Sequence, residues 1–375
     1  VSPDLTTNDP AKLKDSGGIT IDNTGAENHC TILTITESPL KAGVLWVGTD
    51  DGQVQLTRDG GATWENVTAN IKGFGPGDNW VTRMEASHFV EGGIYLTVSR
   101  HQVDDYAPYI FKSEDFGKTW TSLRGDLPDY GYLHTVRESP SNRNLLFVGS
   151  EFGLFISADG GRRWIPYKGD FPTVAVRDIQ IHPREHDLII GTHGRGVWII
   201  DDIRPLEGLT AEAVKAEAIL FDVKDAPLFS YRTTVDNYSD TGYAGANSPF
   251  GAAISYYLNP SALKSGPIKL SIQDPDGHEI ATPFLTKEPG LNRVYWNLRG
   301  GAAPEPSGAG EARGGRGGGR SFGGLASYAL PGEYKAVLEV GGRAMEKTFK
   351  ILEDPDQGFT AEERRAGQAF SREAQ

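Results

Sequence analysis

Two short strings place chemically capable groups on turns. His101 is followed by Asp104 and Asp105, an imidazole and two carboxylates that together could bind a metal ion or a sugar. Neighbours in an extended segment point to opposite faces, and a solvated loop accounts for the same residues. His193-Gly194-Arg195-Gly196 sets a histidine and an arginine on a glycine-framed turn, where they could grip an anion or a partner's carboxylate. The structural alternative is a turn whose Arg195 pairs with Asp201 or Asp202. Three more arginines, Arg83, Arg137 and Arg177, each stand near the start of an apolar run, and a cluster of three would suit a carboxylate-bearing substrate. Arg177 is six residues before Pro183, whereas Arg137 is three before Pro140. If those prolines mark equivalent turns, the two side chains fall on opposite strand faces. Glycosidic hydrolysis needs two carboxylates about 5–9.5 Å apart, and no acid pair here is marked out by its spacing. His134, His182 and the other histidines show no H-E-x-x-H or comparable metal spacing. No pattern calls for a cofactor or a resident metal. Cys30 is the single cysteine, which excludes an internal disulfide and reads as a small buried hydrophobe.

The elements that must position these groups are announced by a repeat. Thr57-Arg58-Asp59-Gly60-Gly61-Ala62-Thr63-Trp64 returns as Ser113-Glu114-Asp115-Phe116-Gly117-Lys118-Thr119-Trp120 and as Ser157-Ala158-Asp159-Gly160-Gly161-Arg162-Arg163-Trp164. The pattern S/T-x-D-x-G-x-T-W is the Asp-box, and its spacing falls in the range of propeller blades. Asp59, Asp115 and Asp159 can accept hydrogen bonds from backbone N–H groups two or three residues on. Gly61, Gly117 and Gly161 supply a backbone with positive φ, and Trp64, Trp120 and Trp164 cover the hairpin. Every part serves a tight turn, so these aspartates are structural and not catalytic.

Four units align by their turn glycines: Leu45–Leu56, Ile94–Phe111, Leu146–Ile156 and Leu188–Ile200, each an apolar run, a turn and a second run. The fourth lacks a box and leaves the repeat at Ile203-Arg204-Pro205. The expected fold is therefore all-β, with about four blades of an Asp-box β-propeller over residues 1–205. A connector and irregular loop follow over 206–248, with one helical turn near Ala211–Val214 and with Tyr231, Tyr238 and Tyr243 in the loop. A second β domain is expected over 249–353, with strands at Ala253–Leu258, Ile268–Ile272, Arg293–Leu298 and Tyr334–Val340. The turn Asp274-Pro275-Asp276-Gly277 links two of its strands, and a Gly/Arg-rich insertion at 302–326 interrupts it. Residues 354–375 form a linker and the opening of a helix.

With 375 residues, 47 Gly, 22 Pro and 7 Trp, the composition suits a turn-rich β protein of two or three domains. A formal net charge of -13 argues against general nucleic-acid binding, and no segment has the length of an apolar membrane span. Four blades leave sheet faces and edges uncovered, so further blades upstream of Val1 are expected to close the ring.

Asp104–Ser113 and Gly191–Asp202 resemble segments of large bacterial Asp-box (BNR-repeat) propeller proteins, related to the sortilin (VPS10) propeller domain and labelled glycosyl-hydrolase-like. Gly290–Trp296 and Leu330–Tyr334 are similar to the immunoglobulin-like domain on their C-terminal side. The resemblance covers residues 1–355 apart from the insertion. It implies an exported protein, extracellular or periplasmic; the function expected of the chain is to bind a protein or carbohydrate ligand on the axial face of its propeller. His101, Asp104, Asp105, His193 and Arg195 are the candidate contacts. The alternative it implies is a sialidase- or xyloglucanase-like glycoside hydrolase acting on polysaccharide.

Overall fold

Short apolar runs divided by glycine turns cannot bury themselves singly, and three or more strands are needed before a sheet is stable. In the computed structural model, which describes residues 2–10, 29–74, 79–169, 171–229, 249–302, 328–354, 358 and 360–373, the chain is almost wholly β. It divides into two compact units, Val1–Thr210 and Ala211–Gln375.

The first unit is a series of four antiparallel sheets. β1 (Ile32–Glu37), β2 (Leu45–Thr49), β3 (Val54–Thr57) and β4 (Glu65–Asn66) form the first. β5 (Trp80–Ala86), β6 (Ile94–Arg100), β7 (Asp105–Ser113) and β8 (Thr121–Ser122) form the second. β9 (Leu133–Glu138), β10 (Leu146–Ser150), β11 (Gly153–Ser157) and β12 (Ile165–Pro166) form the third. The fourth has three strands, β13 (Val176–Ile181), β14 (Leu188–Thr192) and β15 (Val197–Ile200), followed by the short helix α1 (Arg204–Glu207). The first strands adjoin one another in sequence, β1 with β5, β5 with β9 and β9 with β13. This is the arrangement of propeller blades, and the unit is a partial propeller.

Each blade presses one face against the next, and the seams are the cores. Trp46, Val54 and Leu56 of the first blade meet Val81 and Met84 of the second. Tyr95 and Ile110 meet Leu133 and Val136 at the next seam, and Phe147 and Leu154 meet Val176 and Ile179 at the third. Two glycines let the blades approach. A Cβ on Gly48 would stand 2.3 Å from Val81 Cγ1, and one on Gly149 would stand 2.4 Å from the Val176 carbonyl oxygen. The second blade has Thr97 at this register, and its hydroxyl bonds that of Thr82, which also donates to the Leu133 carbonyl.

The three repeats close three equivalent hairpins. Thr57, Ser113 and Ser157 donate to Asp59, Asp115 and Asp159 at 2.8–2.9 Å and accept the N–H of Gly61, Gly117 and Gly161 at 2.9 Å. The glycines have φ of +94°, +75° and +89°. Each carboxylate takes the N–H four residues on, from Thr63, Thr119 or Arg163, and Asp159 also takes the N–H three residues on, from Arg162 at 3.1 Å, as the turn reading expects. Trp64 and Trp120 donate to Gly61 and Gly117 within their own hairpins. Trp164 departs from this pattern, buried and bonded to the Leu123 carbonyl.

The second unit is a two-sheet β-sandwich over one core. One sheet is β16 (Ala218–Leu220), β18 (Ala252–Leu258) and β21 (Gly290–Trp296). The other runs, from edge to edge, β17 (Ala226–Pro227), β24 (Arg343–Leu352), β23 (Gly332–Val340), β19 (Ile268–Gln273), β20 (Glu279–Thr282) and β22 (Gly301–Ala302). β16 and β17 lie where the sequence suggests a connector. β24 escapes the apolar pattern because Arg343, Glu346, Lys347 and Lys350 interrupt it and only Phe349 and Ile351 are buried. The single helical turn near Ala211 stands at Ala213–Lys215. Helix α2 (Ala361–Glu373) opens with reciprocal bonds between Thr360 and Glu363, a capping box. Tyr231, Tyr238 and Tyr243, with the rest of the loop from residue 230, and the Gly/Arg-rich insertion from residue 303 lie outside the described residues.

Candidate functional site

In each of three blades the turn between second and third strands is tied to the residue just before the first strand. Asp50 donates its N–H to Thr31, Glu151 to Tyr132 and His193 to Ala175. These turns and the starts of the inner strands therefore share one end of the unit, and the residues singled out from the sequence stand there.

They do not form one cluster. Asp105 is locked by Arg100 Nε at 2.9 Å, Tyr109 Oη at 2.7 Å and the Ala107 N–H at 3.1 Å. Asp104 is exposed, on a left-handed residue with φ +58°. His101 turns away from both, bonded through Nδ1 to Ser99 at 2.7 Å and stacked on Tyr132 with centroids 4.7 Å apart. His193 and Arg195 are exposed on the fourth blade. Asp202 is gripped by Arg204 at 2.6 and 2.8 Å, not by Arg195.

What gathers at this end is a set centred on the third blade. His134 Nε2 lies 2.7 Å from Glu151 Oε2, and Arg177 Nη1 lies 3.2 Å from His134 Nδ1. An arginine only donates, so Nδ1 accepts and the Nε2–H donates to Glu151. Burial holds His134 below its usual pKa in spite of Glu151, which keeps it neutral. Burial pushes Glu151 upward, but hydrogen bonds from His134 and Tyr132 and the Arg177 charge outweigh it and hold the carboxylate below its ordinary range. Tyr132 is raised, by burial first and then by Glu151, and stays a donor. Trp80 meets the edge of the His101 ring. Beyond them Tyr106, Tyr130 and Phe152 form a line of rings with spacings of 5.2 and 5.7 Å. Tyr130 is 60% exposed and Phe152 47%.

The three arginines occupy three different registers. Arg83 lies opposite Thr97, Arg137 opposite Phe147, and Arg177 at the bulge between Val176 and Asp178. Each has its own carboxylate: Arg83 takes Asp178 at 2.7 Å and Arg137 takes Glu85 at 2.6 Å, while Arg177 faces Glu151 at 3.8 Å. A convergent arginine triad is absent among them. Cys30 is half-buried, not a core residue, and sits on a left-handed backbone with its sulfur 3.5 Å from His29 Nδ1. His29, Cys30 and Asp51 could together approach one metal ion, but Asp51 already accepts from Thr7 twice and from Thr49. The exposed group Asp274, Asp276 and His278 is held by Asp274 accepting both following N–H groups.

No protein-family model and no curated protein matches the chain. Similar solved structures include YCF48 bound to D1 peptide, 14% identical over 47% of this chain and 56% of that one, with a TM-score of 0.34. A GH74 xyloglucanase from Xanthomonas campestris is 14% identical over 47% of this chain and 30% of that one, TM-score 0.34. An ancestral GH74 enzyme is 12% identical over 72% and 33%, TM-score 0.33. The chain thus spans about a third to a little over half of these proteins. Likeness this distant carries no activity across, and the blades assign the fold by themselves.

Proposed function

We propose that the chain is a sortilin-like binding protein of the cell envelope whose ligand, a protein or a carbohydrate, docks on the end of the propeller that carries Tyr130, Phe152, Glu151 and Arg177. The observation that carries this reading is the uncovered ring line of Tyr106, Tyr130 and Phe152, continuous in sequence with the held Glu151 and with Tyr132. Rigid aromatic rings give large contact area at small entropic cost, and a carboxylate fixed by His134 and Tyr132 presents a directed acceptor. His101 is the sequence candidate that joins this group, while Asp104, His193 and Arg195 act as rim contacts.

The competing reading, a glycoside hydrolase, requires a carboxyl group that keeps its proton as general acid. Glu151, the carboxylate at this face, is held ionised, and that favours binding; burial raises Glu85 in spite of Arg137, but that group is buried and paired within the blades. The reading also carries an extracellular or periplasmic location, which cell fractionation checks. Its main test is to profile the chain against glycan and peptide arrays and then titrate the best ligand into Tyr130→Ala and Phe152→Ala. Affinity is expected to fall about ten- to a hundredfold in each with Tm unchanged. Undiminished affinity in both variants removes this face as the site.

A further inference from the structure

The inner strand of each blade carries one bulge, and the four bulged residues are Leu33, Thr82, His134 and Arg177. A bulge breaks strand alternation and re-aims the extra side chain. In the second and third blades that side chain reaches the next blade. Thr82 donates to the Leu133 carbonyl at 3.0 Å, a contact that does not titrate. His134 instead meets Arg177, the bulged residue of the following blade, at 3.2 Å. At the same register a hydroxyl serves one seam and an imidazole the next.

His134 is 6% exposed, and both of its ring nitrogens are engaged, Nε2 by Glu151 and Nδ1 by Arg177. The titratable and charged groups around it are Glu151 from the turn after β10, Arg177 from β13 and His101 from the turn after β6. Tyr132, just ahead of its own strand, meets the ring edge-on. Among the described residues the Arg177 side chain makes its one hydrogen bond to Nδ1, and Glu151 stands farther off, at 3.8 Å. The hold on Arg177 therefore depends on a single lone pair. A proton that His134 takes from solvent must go to Nδ1, because Nε2 already carries the other. Nδ1–H and the guanidinium N–H then point at each other, two donors and two positive charges with no acceptor between them. Glu151 keeps its bond from Nε2 and gains a full ion pair.

We propose that His134 and Arg177 form a proton-operated clasp. The neutral imidazole holds the guanidinium beside Glu151, and the imidazolium releases it toward solvent. Burial first, and the Arg177 charge with it, lowers the His134 pKa from 6.5 against the pull of Glu151. The clasp is therefore closed at neutral pH and opens below the ordinary histidine range. Glu151, held below its usual 4.5, is still a carboxylate when it opens. The consequence for a ligand rests on the binding reading above. Opening moves Arg177 off the face and matches the Glu151 charge with His134, so a ligand fitted to the closed arrangement is released in acid.

The test is heteronuclear NMR of the histidine ring nitrogens in the full chain, with His134 assigned by its loss in His134→Gln. At neutral pH His134 is expected as the Nε2–H tautomer, gaining its proton at Nδ1 only below 6.5. Arg177→Met removes the guanidinium from a half-exposed side chain. It is expected to raise the His134 pKa by about one unit, a change that a merely structural arginine does not cause. An Nδ1–H tautomer, a His134 that stays neutral until the chain unfolds, or a pKa unmoved in Arg177→Met overturns the clasp. These measurements need no ligand, so the clasp stands or falls apart from the binding reading. Glycan and peptide arrays run on both sides of the His134 titration then test its control of binding. Signals that Tyr130→Ala weakens are expected to fade about tenfold on the acid side, and signals equal on both sides overturn that control.

Discussion

His134 is a buried neutral imidazole between an arginine and a carboxylate, and this sets how the site answers acid. Burial lowers its pKa beneath the ordinary 6.5, and His101 is lowered for the same first reason. As pH falls through about 6.5 the unfolded chain takes up protons that the folded chain refuses, so stability falls with pH. Glu151, depressed from 4.5, adds a loss in the same direction at lower pH. A series of Tm values against pH is expected to decline less steeply below about 6.5 in His134→Gln than in the wild type. Equal slopes would show that His134 does not carry the effect. Part of this site is legible in the sequence, because Tyr130, Tyr132 and His134 crowd within five residues, though only His134 lies in β9 and no strand alternation relates the three. Its completion is not: Glu151 comes from the next turn and Arg177 from the next blade, and nothing local in either segment marks them.

Among the elements, the box hairpins and the glycine seats make separable claims. The Ser157 hydroxyl both donates to Asp159 and satisfies the Gly161 N–H, and it is wholly buried. Ser157→Ala leaves that N–H without its partner and is expected to cost about 1–3 kcal/mol, measured by denaturant unfolding. Arg163→Ala, which keeps the backbone N–H that Asp159 uses, is expected to change stability little. If both variants unfold alike, the hydroxyl is not what holds the hairpin. The hairpins were readable because every partner lies within four residues of the aspartate. β24 was not, since its burial comes from β23 beside it and from the opposite sheet, while four charged residues interrupt its own apolar pattern.

For the molecule as a whole, each of the two units has its own core, so damage to one is expected to stay there. Trp296 is 2% exposed and touches Tyr334 and Phe349. Trp296→Ala should destabilise the second unit by about 3–5 kcal/mol. Calorimetry with the propeller unit followed through its own Trp fluorescence should show the first unit's transition unmoved. A single transition that shifts as one would mean the units unfold together.

The all-β class, the four blade units and the three hairpins are decided by the sequence alone. They rest on strand alternation and turn chemistry, which act between residues a few positions apart. The site was decided only by tertiary structure. Arg83 finds Asp178 95 positions away, and Arg137, Glu85, Glu151 and Arg177 are matched only once blade faces set their registers. Those registers depend on bulges and on knobs entering glycine seats, contacts between strands that no local pattern connects.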